Sequence, residues 1–79
     1  MEFAKTEEEW QRRASVFLKA KMKEADVPYV ELAGRLKKYG FSETEGSITM
    51  KLKRGAFAAT FFLACLASLE LQGARLEDI

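Results

Sequence analysis

Glu31-Leu32-Ala33-Gly34-Arg35-Leu36 and, further on, Lys51-Leu52-Lys53-Arg54-Gly55 bracket the middle of this chain, with a polar stretch between them. Tyr29, Leu32, Ala33 and Leu36 recur at three- and four-residue steps and make the inner face of one helix. Ile48 and Leu52, one turn apart, make the inner face of a second, whose other positions are rich in Lys and Arg. An apolar-periodic helix, a turn and a basic second helix follow one another in the order of a helix-turn-helix unit, over about residues 28–54.

Punctuation around these helices is local. Pro28 suits the first turn of the helix that carries Leu32, because a proline lacks an N–H that would be unpaired there in any case. Gly40 is a left-handed terminator for it, after which Phe41 packs back into the core. Ser42-Glu43-Thr44-Glu45 matches a capping box, so the next helix is predicted to begin there and to run to about Arg54, with Gly55 closing it. Upstream, Thr6 to Glu9 is another capping-box match, opening a helix predicted to reach about Ala25. Trp10, Ala14, Phe17, Leu18, Met22 and Ala25 form its apolar stripe, read as core. Asp26-Val27-Pro28 ends it.

Downstream, Ala56 to Leu71 is predicted to be a fourth helix. Phe57, Phe61, Phe62, Leu63, Cys65, Leu66, Leu69 and Leu71 surround nearly its whole circumference. The charge-free run falls short of the roughly 20 apolar residues needed to span a bilayer. It therefore reads as a buried central helix, one side of which can also serve a subunit interface. Gly73 breaks the chain again, and Leu76 to Ile79 is expected to form a last short turn. The fold class is all-α, a compact four- to five-helix domain occupying residues 1–79.

Composition narrows the chemistry. With 79 residues, the chain is near the size at which one core is only marginally stabilising. The hydrophobic fraction of 48%, with six Phe, two Tyr and one Trp, is ample for a core and argues against disorder. A single Cys excludes an internal disulfide and points to a reducing, cytoplasmic compartment. The absence of His removes the commonest general base and transition-metal ligand. Glu7, Glu8 and Glu9 stand where the apolar core of a signal peptide would be. The net charge of +1 is unevenly spread: residues 1–9 carry −3, residues 35–54 carry +4, residues 55–69 carry none and residues 70–79 carry −2. Positive charge concentrated in the central unit suits a polyanionic partner.

Val30-Glu31-Leu32-Ala33, Arg54-Gly55 and the apolar segment ending Cys65-Leu66-Ala67-Ser68-Leu69 resemble the lambda-repressor/Cro (xenobiotic-response-element type) helix-turn-helix domain. More narrowly, Phe17-Leu18-Lys19, Val27-Pro28-Tyr29, Glu43-Thr44-Glu45 and Phe61-Phe62-Leu63 resemble a family of small proteobacterial domains of unknown function, over about residues 7–72. The narrower family has no activity to transfer. The wider resemblance implies a five-helix DNA-binding fold with its third helix in the major groove. The chain departs from that pattern in three places. Lys37-Lys38-Tyr39-Gly40-Phe41 lengthens the turn, Ile48 and Leu52 are spaced by four rather than three, and Ala58 replaces a Ser or Thr cap.

With Ile48 and Leu52 inward, base contacts are expected from Thr44, Glu45, Gly46, Ser47, Thr49 and Met50, because recognition helices read with their N-terminal part. A threonine hydroxyl can donate or accept, and methionine can touch a thymine methyl. Lys37, Lys38, Ser42, Lys51, Lys53 and Arg54 are expected at phosphates. Arg12 and Arg13 are weaker candidates for the same role. Glu43 and Glu45 would repel phosphate unless one accepts from a cytosine amino group; as cap and macrodipole residues they need no ligand. The Glu7–Glu9 run reads as a helix-start feature, and Cys65 as packing.

The resulting expectation is a DNA-binding transcriptional regulator whose partner is double-stranded DNA. It is expected to act as a homodimer, with Phe57, Phe61, Phe62, Leu69 and Leu71 as candidate interface residues. The alternative is a protein-interaction module, antitoxin-like or a phage-derived inhibitor, that binds its partner through the apolar fourth helix. Neither reading calls for catalysis, a cofactor, a metal, a membrane or a small-molecule substrate.

Overall fold

The computed structural model describes residues 2–79, and among these every regular element is helical. Helix α1 spans Glu7–Ala25, α2 Tyr29–Leu36, α3 Glu45–Arg54 and α4 Ala59–Ser68, with 3-10 turns at Lys37–Tyr39 and Leu76–Asp78.

Helix α1 starts where a hydroxyl waits for it. Thr6 Oγ1 accepts the Glu9 N–H at 3.1 Å. The reciprocal half of the expected box does not form. Glu9 instead accepts from the Lys5 N–H at 3.3 Å and pairs with Arg13 at 3.4 Å, because Arg13 lies one turn along the same face. Asp26, at φ +58, ends α1 in the left-handed conformation, and the Val27 N–H reaches back to the Met22 carbonyl at 2.9 Å. Buried Val27 then carries the chain into α2. Pro28 stands one position earlier than expected, as the N-cap, where its extended ψ of 166° lets its carbonyl accept the Leu32 N–H.

The stretch after α2 tightens into the 3-10 turn and stops at Gly40, φ +90. Phe41 follows and packs edge-on against Phe61, ring centroids 6.2 Å apart. Helix α3 begins two positions later than the Ser42 box implied. The working box is Thr44 with Ser47: Thr44 Oγ1 accepts the Ser47 N–H at 3.1 Å and Ser47 Oγ accepts the Thr44 N–H at 2.8 Å. Two boxes overlap in the sequence, and docking of Phe41 leaves residues 41–44 non-helical, so the second wins. Helix α4 is also shorter than its apolar run. Residues 55–58 carry no helix, Ala58 offers no side-chain cap, and Glu70 at φ +60 turns the chain beyond Leu69.

Packing places α2 against both α3 and α4, and α1 against α3. Phe17, Leu18, Met22, Leu32, Leu36, Ile48, Leu52, Phe61, Cys65 and Leu66 form one continuous core. Trp10 is not in it. It is 38% exposed and leans on Phe3 with ring centroids 6.4 Å apart. Ala25, at the other end of the stripe, is exposed as well. Helix α1 has 19 residues against 8 in α2 and 10 in each of the others, so both its ends overhang the core that its middle covers.

Candidate nucleic-acid interface

Burial of Ile48 and Leu52 orients α3, and it turns Glu45, Gly46, Thr49, Met50 and Lys53 to solvent. Thr44, at the helix start, is exposed too. Their hydrogen-bonding capacity is uneven. Thr44 Oγ1 and Ser47 Oγ are committed to the cap, and Ser47 also donates to Glu43 Oε1 at 2.6 Å. Thr49 Oγ1 donates to the Glu45 carbonyl at 2.8 Å, so it meets a ligand as an acceptor. Met50 offers an apolar, polarisable tip.

The acidic start of α3 is less acidic than its sequence. The Glu43 side chain is only 8% exposed, and its Oε2 accepts from Lys51 Nζ at 2.5 Å. Lys51 is itself 29% exposed, with its ammonium 5.0 Å from the centre of the Phe61 ring. Burial pulls the Glu43 carboxyl upward, but the hydrogen bonds from Lys51 and Ser47 and the Lys51 charge outweigh it, holding the group below the ordinary carboxylate value. Lys51, expected at phosphate, is therefore occupied internally. Glu43 and Lys51 are eight positions apart with a helix start between them, a spacing that no helical pairing rule singles out.

The other expected phosphate residues divide. Lys38 lies 5.6 Å from the Tyr39 ring, in a recess that it shares with Arg35, Ser68 and Glu70. Arg35 there is held by the Ser68 carbonyl at 2.9 Å and by Glu31 at 2.5 Å. Lys37 and Ser42 are exposed. Lys53 and Arg54 line a different cleft, of about 280 Å³, facing Arg12 and Lys19 of α1. Of the two α1 candidates, Arg12 lines this cleft, while Arg13 lies outside it and pairs with Glu9. Lys19 was not expected there, although its seven-residue step from Arg12, which stacks both on one face, was the available signal.

Two of the expected interface residues cannot meet another subunit. Phe61 and Leu69 are 2% and 6% exposed, enclosed by the chain's own core. Phe57, Phe62 and Leu71 are half-buried. The first two line an apolar groove with Trp10, Leu76 and Ile79. Leu63, which no interface expectation included, is the exposed large residue of α4. Cys65 is fully buried, and burial together with the Glu43 charge pushes its thiol up to about 12. It is a protonated packing residue at neutral pH. Among the described residues no helix is long and apolar enough to cross a membrane, and no cluster of acidic or thiol side chains is arranged to hold a metal ion.

The family model described as Domain of unknown function (DUF6471) matches residues 10–74, and the chain belongs to that family. No curated protein and no solved structure matches it.

Proposed function

We propose that this member of the DUF6471 family is a regulator that binds double-stranded DNA, built on a lambda-repressor-like helix-turn-helix. In this reading α2 and α3 are the two motif helices and α3 enters the major groove. The observation that carries it is the division of α3: Ile48 and Leu52 are buried, while Gly46, Thr49, Met50 and Lys53 stand free on a helix capped by Thr44 and Ser47. Inward pairing of Glu43 with Lys51 supports the same reading, since it leaves Glu45 as the acidic residue of the first turn. Thr49 would accept from a base amino group and Met50 would meet a thymine methyl. Lys53 and Arg54 would hold phosphates.

A gel shift on random duplex at two salt concentrations tests this. Retention should fall steeply as salt rises, because counterions released by phosphate contacts oppose binding. Lys53→Ala should weaken binding on all sequences and lower the salt slope by about 1, whereas Thr49→Ala should alter preference at one position. No retardation at low salt refutes the reading.

Pairing of two copies belongs to the proposal, with Phe57 and Phe62 rather than Phe61 or Leu69 at the contact. Sedimentation at micromolar concentration decides it: a clean monomer removes the homodimer. The alternative, a protein-interaction module, draws support from the apolar groove between Trp10, Phe57, Phe62 and Leu76.

A further inference from the structure

Helices α1 and α3 are locked together at the end of α3. Ser15 Oγ donates to the Leu52 carbonyl at 2.6 Å, a buried bond. Gly55 comes so close to α1 that a Cβ on it would lie 2.6 Å from the Gln11 carbonyl oxygen. These contacts form the rigid floor of the cleft of about 280 Å³ between the two helices. Arg12 and Lys19 project over it from α1, and Lys53 and Arg54 from α3. All four are exposed, and among the described residues none of them is in an ion pair and Glu8 is the one carboxylate lining the cleft.

Cations near a helix C-terminus often serve its free carbonyls. Here two of those carbonyls have other partners: the Lys51 carbonyl accepts the Gly55 N–H at 2.9 Å and the Leu52 carbonyl accepts from Ser15. Like charges gathered on a fixed floor repel one another, and an anion in the cleft would relieve that repulsion. Two guanidinium forks and two ammonium groups match a tetrahedral oxyanion.

We infer that the cleft between α1 and the end of α3 binds a phosphate group, held by Arg12, Lys19, Lys53 and Arg54. The chemistry is common to two sources, a free phosphate ester and the backbone of a nucleic acid. The inference goes beyond the reading of α3 as a base reader, because the cleft would bind phosphate whether or not Thr49 and Met50 meet bases.

Amide-resolved NMR titration of the full chain tests it, with inorganic phosphate in one arm and a short random duplex in the other, both at fixed ionic strength. Phosphate is expected to shift the amides of Arg12, Lys19, Lys53, Arg54 and Gly55 saturably, while chloride does not. Arg12→Ala with Lys19→Ala should weaken the binding by about tenfold or more, as loss of charge-assisted hydrogen bonds implies. A control that removes equal charge outside both the cleft and the expected DNA contacts, Lys5→Ala with Arg75→Ala, should leave it within about twofold, since distant exposed charges are screened. Cleft shifts with inorganic phosphate assign the free ester as a ligand, and cleft shifts with duplex alone assign the backbone. No cleft shift in either arm overturns the proposal, as does an equal loss in the control. The base-reading proposal is scored separately, on duplex-induced shifts at Thr49 and Met50.

Discussion

Replacing buried Gly55 by alanine should damage this fold more than the same change at any of the other four glycines. Two costs coincide there. Gly55 closes α3 at φ +72, a conformation that disfavours an L side chain by about 1–2 kcal/mol. The added Cβ would also lie 2.6 Å from the carbonyl oxygen, 2.8 Å from the carbonyl carbon and 2.9 Å from the Cβ of Gln11. Two of those atoms are backbone of α1 and cannot step aside, so an overpacking cost of about 1–3 kcal/mol is added. The sum, about 2–5 kcal/mol, is a large share of the roughly 5–15 kcal/mol that holds a domain together. Gly40 isolates the first cost, because it sits at φ +90 with nothing within 4 Å of a built Cβ. Gly40→Ala should therefore lose only about 1–2 kcal/mol. Urea and thermal unfolding followed by circular dichroism would measure both variants, at about 4–8 °C of Tm per kcal/mol for a domain of this size. If Gly55→Ala loses no more than Gly40→Ala, the close approach of α1 and α3 is not rigid and the reasoning fails.

Other outcomes follow from single sites. Gly34 lies exposed inside α2 with open space around a built Cβ, so Gly34→Ala should raise stability by about 0.5–1 kcal/mol; a lower Tm would contradict this. The Glu43 carboxyl is held below its ordinary value of 4.5, so its contribution is complete above that pH and is lost as pH falls through the lower folded value. The stability gap between wild type and Glu43→Gln should shrink in that acid window, and a gap that stays constant with pH would show that the pair does not matter. Lys51→Met keeps the stem over Phe61 but strands the buried carboxylate; a loss of about 1–3 kcal/mol is expected, partly recovered when Glu43→Gln is added. Cys65, buried with its thiol at about 12, should react with a thiol reagent only at the rate of unfolding; fast labelling of the native chain would exclude that placement.

Features legible in the sequence are those set by neighbours along the chain. Thr6 as a cap, the end of α1 at Ala25, the terminators Gly40 and Gly55 and the inward pair Ile48 and Leu52 all depend on hydrogen bonds or side-chain spacings within a turn or two. The exposed face of α3 was readable for the same reason, since two buried positions on a helix fix the direction of the rest. Local rules failed where two were available at once. Ser42 and Thr44 both fit a cap, and docking of Phe41 against Phe61 left Thr44 as the one used. Hydrophobicity alone also misled: the apolar run from Ala56 to Leu71 holds a helix of only Ala59–Ser68, and apolar Trp10 stays outside the core.

Helix existence, phase and polarity of face were thus determined by the sequence alone, because each is decided by backbone and side-chain contacts a few residues apart. What each cation is free to do was decided by tertiary structure. Lys51 and Lys53 are alike in sequence, yet one is folded onto Glu43 and Phe61 and the other opens onto a cleft with Arg12, Lys19 and Arg54. Charge acts through space, so its partners are known only when distant segments have been brought together.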